Sequence, residues 1–141
     1  MLNEQRILAI DYGEKRIGIA VTDPLNMFAY PLTTLQNDSK FWNNFLKIVS
    51  EYNVIQIVLG YPVKESGEES TSTIAVQKFK AELVKRVSLS VELVDERYSY
   101  DIAKQRIIAS VSSKRKRRDK SLVDKNAAAV ILEDYMNSRK Q

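Results

Sequence analysis

The sequence predicts an α/β fold: a mixed five-stranded sheet with its first three strands antiparallel and helices on both faces. Three observations carry this. Three β-rich runs open the chain, the first two joined by a four-residue connection. From about residue 39 onward, stretches with helical periodicity alternate with two apolar, β-branched runs. Strands that alternate with helices in this way run parallel and need right-handed crossovers, whereas strands joined by tight turns form a meander.

The first run, "RILAID" (6–11), is short and apolar, and "RIGIAVT" (16–22) resumes the pattern after a turn containing Gly13. In the second run Gly18, Ala20 and Thr22 share one face while Ile17, Ile19 and Val21 share the other. One side of this strand is therefore small enough for a helix or a ligand to come close. "MFAYPLTTL" (27–35) reads as a third strand, and Pro31 places it at an edge or at a bulge. A helix is expected from Ser39, a suitable N-cap, to Tyr52, with Phe41, Phe45, Ile48 and Val49 at helical spacing. "VIQIVLG" (54–60) is nearly continuous in β-branched and apolar residues, as a strand covered on both faces should be. Residues 61–73 are polar and turn-rich, hence a loop. A long helix follows, with Ile74, Phe79, Leu83 and Val87 as its stripe. "SVELVDE" (90–96) is the last strand; "YDIAKQRIIASV" (100–111) and "SLVDKNAAAVILEDYMNS" (121–138) are the last helices. No internal repeat and no composition break divides the 141 residues, so one domain is expected.

Composition removes whole classes of chemistry. The chain contains no histidine and no cysteine. That excludes imidazole-based acid–base catalysis, Ser-His-Asp and Cys-His nucleophiles, disulfides, and zinc sites built on nitrogen or sulfur. A metal held here would have oxygen ligands, which favour hard cations such as Mg²⁺ or Mn²⁺. The longest apolar run, Ala127 to Leu132, is six residues, too short for a membrane span. No leader pattern is expected either, because Asp11 interrupts the apolar run at Ile7–Ile10. A cytoplasmic protein without membrane attachment follows. Net charge is +4, but "KRKRRDK" (114–120) sets six cations against one anion, so the other 134 residues carry −1.

Three acids stand where acids need an explanation. Asp11 and Glu96 each end an apolar strand, and an isolated buried carboxylate is costly unless paired or bound to a cation. Asp11 could simply serve the turn "DYG", and Glu96 could pair with Arg97 or Lys104. Asp124 could complete a capping box with Ser121. Yet Asp124, Ala128, Ile131 and Tyr135 recur at spacings of four, three and four, which puts the acid on the stripe that faces the sheet. Ligands on open α/β sheets gather beyond the C-terminal ends of the strands. Three acids converging at that rim would repel one another, and a pair of divalent cations would neutralise them and clamp a scissile phosphate.

With "VLGYP" (58–62) between them, "DYGEKRIGIAVTDP" (11–24), "VDERYS" (94–99) and "DKNAAAVIL" (124–132) resemble the YqgF/RuvX family of Holliday junction resolvases. These are small nucleases of the RNase H-like superfamily, and the resemblance runs through essentially the whole chain in order. It implies an RNase H-like fold, catalytic and metal-binding acids at Asp11, Glu96 and Asp124, and characteristic basic positions at Lys15, Arg16 and Arg97, which are expected to bind the phosphates of the nucleic acid. Family members are described either as junction resolvases or as cytoplasmic nucleases acting on precursor 16S ribosomal RNA. Tyr12 and Tyr100 stand where smaller residues are common in the family, which bears on substrate contacts and not on the metal ligands.

The expected function is thus a two-metal nuclease acting on structured RNA, in 5′ maturation of precursor 16S ribosomal RNA. The alternatives are a junction resolvase acting as a homodimer on branched DNA, and a non-catalytic nucleic-acid-binding factor. A phosphotransferase of the actin and sugar-kinase type also opens on D-x-G, but those folds generally pair two such domains. Lys114, Arg115, Lys116, Arg117 and Arg118 directly precede the helix that carries Asp124, so they would overhang the site and engage phosphates without reading sequence.

Overall fold

The computed structural model describes residues 4–62, 71–95, 99–110 and 119–139. Its elements are β1 (Arg6–Asp11), β2 (Arg16–Thr22), β3 (Ala29–Gln36), α1 (Phe41–Glu51), β4 (Val54–Tyr61), α2 (Thr71–Arg86), β5 (Ser90–Asp95), α3 (Ser99–Ser110) and α4 (Lys120–Ser138). The sheet order is β3-β2-β1-β4-β5. β1, β2 and β3 pair antiparallel, while β4 runs parallel to β1 and β5 parallel to β4. The mixed sheet and its meander are therefore as the sequence predicts.

Strand parity divides the core. Leu8, Ile10, Ile17, Ile19, Val21, Ile57 and Leu59 face one side, where Phe41 and Phe45 of α1 and Val76, Phe79 and Leu83 of α2 bury against them. Ala9, Ala20 and Val58 face the other side and meet Ala128, Ala129, Ile131, Leu132 and Tyr135 of α4. The small residues are thus matched, alanine against alanine, where a helix lies close on the sheet. α3 packs outside α4 through Ala103, Ile107, Val123 and Ala127. Arg106 adds a bidentate pair to Glu133 across the same two helices, at 2.9 and 2.8 Å. β4 is covered on both faces, which accounts for its unbroken apolar run. Pro31 satisfies both expectations: β3 is an edge strand, and its register with β2 shifts between Ile19 and Ala20.

Three local expectations are corrected. Ser39 does not cap α1. The cap position is Lys40, without a side-chain bond, and Asp38 instead accepts the Lys40 N–H at its carboxylate (2.9 Å) and the Phe41 N–H at its carbonyl (3.1 Å). Ile74 is not on the buried stripe of α2: it is 48% exposed, and Thr73, Val76, Phe79 and Leu83 are the buried positions. Thr73 sets that phase by donating its hydroxyl to the Pro62 carbonyl at 2.7 Å. Ser121 does not cap α4 either. Asp119 does, its carboxylate accepting the Ser121 N–H at 3.0 Å and the Ser121 hydroxyl at 2.7 Å.

The connection between β2 and β3 is built around another acid. The Asp23 carboxylate accepts the N–H groups of Phe28, Met27 and Leu25 at 2.6, 2.7 and 3.2 Å. Asn26 takes a left-handed backbone (φ 54°) and ties the turn back to the Gln5 carbonyl. The Phe28 N–H above all holds the Asp23 carboxyl below its ordinary value of 3.8. A carboxyl whose folded pKa is depressed stabilises the fold fully above its unfolded value, and loses that contribution as pH falls through the folded one. The Met27 and Phe28 amide resonances are therefore expected to titrate together with a midpoint below 3.8, and the titration should vanish in Asp23→Asn. A midpoint at or above that value would contradict the role given to these bonds.

Candidate active site

Asp11 is the last residue of β1, and its cross-strand partner on β2 is Gly18. Paired residues in an antiparallel ladder point their side chains to the same face. The Asp11 carboxylate and the bare Cα of Gly18 thus share the α4 side of the sheet. Here α4 comes closest. A Cβ on Gly18 would stand 2.0 Å from the Asp124 carbonyl oxygen, 2.4 Å from its carbon and 3.0 Å from the Lys125 nitrogen. The glycine lets the first turns of α4 rest on the strand backbone. This contact brings Asp124 to the strand end that presents Asp11.

Asp124 is held by a partner from β2. Arg16 donates its Nε–H to Asp124 Oδ2 at 2.8 Å, with side-chain exposures of 28% and 15%. Since Asp119 caps α4, the Asp124 carboxylate is not spent on the helix N-terminus, and a capping box is not its role. Ala128, Ile131 and Tyr135, on the same stripe, are buried against the sheet as their spacing predicts. The start of α4 is further fixed by Thr34 of β3, whose hydroxyl donates to the Ser121 carbonyl.

The β1–β2 turn is equally tied down. Gly13 is needed for room: a Cβ there would stand 2.4 Å from the Arg16 carbonyl oxygen. Asn37 donates its side-chain N–H to the Gly13 carbonyl (3.0 Å) and to Tyr12 Oη (3.3 Å), and its backbone N–H to the Lys15 carbonyl (3.0 Å). The Tyr12 ring packs on Phe79 of α2 at 4.6 Å. Lys15 is exposed at the tip of this braced turn.

The sequence-predicted site residues fall into three groups. Asp11, Asp124 and Arg16 are brought to one rim of the sheet, with Lys15 on the adjoining turn. Glu96 and Arg97 lie outside the described residues; they follow Asp95, which ends β5 opposite Tyr61 of β4. Lys114, Arg115, Lys116, Arg117 and Arg118 also lie outside them, immediately before Asp119. Among the described residues no three acids gather closely enough to hold an ion. The donor set itself, two carboxylates on one face at one strand end, suits a hard divalent cation and no softer metal. What sequence reading missed is the Arg16–Asp124 pair. Parity could have found it, because Arg16 is two residues from Gly18 and so points to the face that α4 covers.

The chain resembles named relatives in sequence and solved structures in fold. In Dictyoglomus turgidum, a protein named as a pre-16S rRNA nuclease is 40% identical over 136 residues, with 94% of each chain covered. One of the same name in Porphyromonas gingivalis is 41% identical over 135 residues, covering 94% of this chain and 96% of the other. Among solved structures, the fowlpox virus resolvase in complex with Holliday junction DNA superposes with a TM-score of 0.56 at 15% identity, over 96% of this chain and 99% of the other. Thermus thermophilus RuvC with its Holliday junction substrate gives 0.56 at 14% identity, over 96% and 95%. At such identities these two structures establish a shared fold only. The sequence model of one family, RuvX, described as Holliday junction resolvase, matches residues 5–138. The chain belongs to the RuvX family.

Proposed function

We propose that this protein is a divalent-cation-dependent endonuclease, acting as a single domain on a phosphodiester bond of structured RNA. The observation that carries this is the seating of Asp124 on Gly18, beside the strand end that presents Asp11. In this reading Asp11, Glu96 and Asp124 would hold two divalent cations, Mg²⁺ or Mn²⁺, and the cations would supply Lewis-acid polarisation of a phosphate and a lowered pKa for water. β1 and α4 supply rigidity, since Asp11 is fixed by its strand and Asp124 by a helix locked onto the sheet. Lys15, Arg97 and the 114–118 tract bind backbone phosphates and orient the strand to be cut. Without histidine or cysteine, neither imidazole nor thiolate takes part.

The names of the relatives point to precursor 16S ribosomal RNA; 5′ maturation in the cytoplasm is our own reading, carried by the resemblance to the family. Among the described residues no helix is long and apolar enough to cross a membrane. The family description favours a second reading, a resolvase of branched DNA; cutting two strands of a junction would suit a two-fold dimer. Cleavage of a precursor 16S fragment, an unrelated single-stranded RNA and a four-way DNA junction, in Mn²⁺ and in chelator, separates them. Selective Mn²⁺-dependent cutting of the precursor supports the first reading. Selective cutting of the junction supports the second, and equal residual activity in chelator contradicts both.

The basic tract makes its own prediction. Replacing Lys114–Arg118 by neutral residues is expected to weaken RNA binding and flatten the slope of log K against log salt by up to about 4. An unchanged slope in an anisotropy titration would place the tract away from the bound strand.

A further inference from the structure

We propose that Arg16 is the resident counter-ion of Asp124 and that an incoming divalent cation must displace it. The inference rests on the metal-site reading above and deepens it. The facts are local. Arg16 Nε donates to Asp124 Oδ2 at 2.8 Å, the carboxylate is only 15% exposed, and the two residues are 108 positions apart in sequence. Both sit on elements that cannot drift, because β2 is an inner strand and α4 is seated at Gly18.

A carboxylate oxygen that accepts a guanidinium N–H is not available to ligate a metal through the same lone pair. Two carboxylates facing one strand end also repel each other, and Arg16 relieves that repulsion when no cation is bound. A dication at the same place does so more strongly, because it carries twice the charge. Arg16 therefore keeps the metal-free site folded and ordered, and raises the cation concentration needed to load it. Once displaced, its guanidinium stands at the rim where the phosphate of a bound strand would lie, suited to bidentate contact. Loading and substrate capture would then be linked reciprocally.

The test is a Mg²⁺ titration of the full chain followed by NMR. Side-chain carboxyl ¹³C resonances of Asp11 and Asp124 report the metal; the Arg16 Nε–H resonance reports the latch. The Arg16 signal is expected to leave its hydrogen-bonded position in step with the Asp124 carboxyl. If both carboxyls titrate while Arg16 does not move, the latch is wrong and the metal site stands. If neither carboxyl responds, both fail.

Calorimetry with Mn²⁺ adds a second readout. Arg16→Gln is expected to bind about three- to tenfold tighter than wild type, while Arg16→Lys, which keeps a cation nearby, should lie within about twofold. The gain should disappear in the Asp124→Asn background, as coupling between the two groups requires. Equal or weaker Mn²⁺ binding by Arg16→Gln would overturn the proposal.

Discussion

Asp11→Asn is expected to abolish Mn²⁺-dependent cleavage, by about a thousandfold or more, which corresponds to about 4 kcal/mol of barrier. The substitution nearly preserves shape at the end of β1 but removes the negative charge on which cation binding depends. The backbone of β1 pairs on both sides, with Val21, Ala20, Ile19 and Gly18 of β2 and with β4, so the fold should persist. Circular dichroism and thermal melting check that directly. A folded Asp11→Asn protein with wild-type activity would remove this carboxylate from the chemistry. The same variant with equal residual activity to wild type, both far below a typical nuclease, would favour a binding factor over an enzyme.

Gly18→Ala is expected to be strongly destabilising for a single added methyl group. The added Cβ would lie 2.0 Å from the Asp124 carbonyl oxygen and 3.0 Å from the Lys125 nitrogen, and both are backbone atoms of a helix anchored along its length. No side chain can rotate away to accept it, so either α4 lifts from β2 or the strand bends. We expect a loss of about 3 kcal/mol or more, above the usual range for one surplus methyl group. Activity should fall further than stability explains, because the same displacement carries Asp124 and its bond to Arg16 away from Asp11. Chemical denaturation and cleavage assays on the folded fraction separate the two effects. A Gly18→Ala protein as stable as wild type would mean that α4 does not sit on this strand.

Much of this was legible beforehand because it depends on periodicity. The alternation in β2 of Gly18, Ala20 and Thr22 with Ile17, Ile19 and Val21 announced one thin face and one thick face. The alanines of α4 announced the helix that would use the thin one. β4 showed through its unbroken apolar run, and the edge position of β3 through Pro31. Less legible were features set by single hydrogen bonds between neighbours. Ser39 and Ser121 both read as caps, but α1 starts from Lys40, whose N–H is taken by the Asp38 carboxylate, and α4 starts from Asp119; local backbone geometry decides between such neighbours. Ile74 belongs to a helix whose phase is fixed by Thr73 bonding to Pro62, a contact between residues 11 positions apart that no helical repeat encodes.

The site was legible in part. Strand-end position and stripe membership singled out Asp11 and Asp124, and the structure brings both to one rim. The partner of Asp124 was not foreseen, since a basic residue in a turn-flanking motif reads first as a phosphate ligand. Strand parity gives the face to which Arg16 points, but which residue it meets 108 positions away is decided by the seat of α4 on Gly18.

The most direct measurement is anomalous diffraction from crystals of the protein soaked in MnCl₂. Manganese density beside Asp11, Glu96 and Asp124, with Arg16 swung off Asp124, is the outcome anticipated here. Saturating manganese that binds elsewhere, and leaves the arginine–aspartate pair closed, would contradict it.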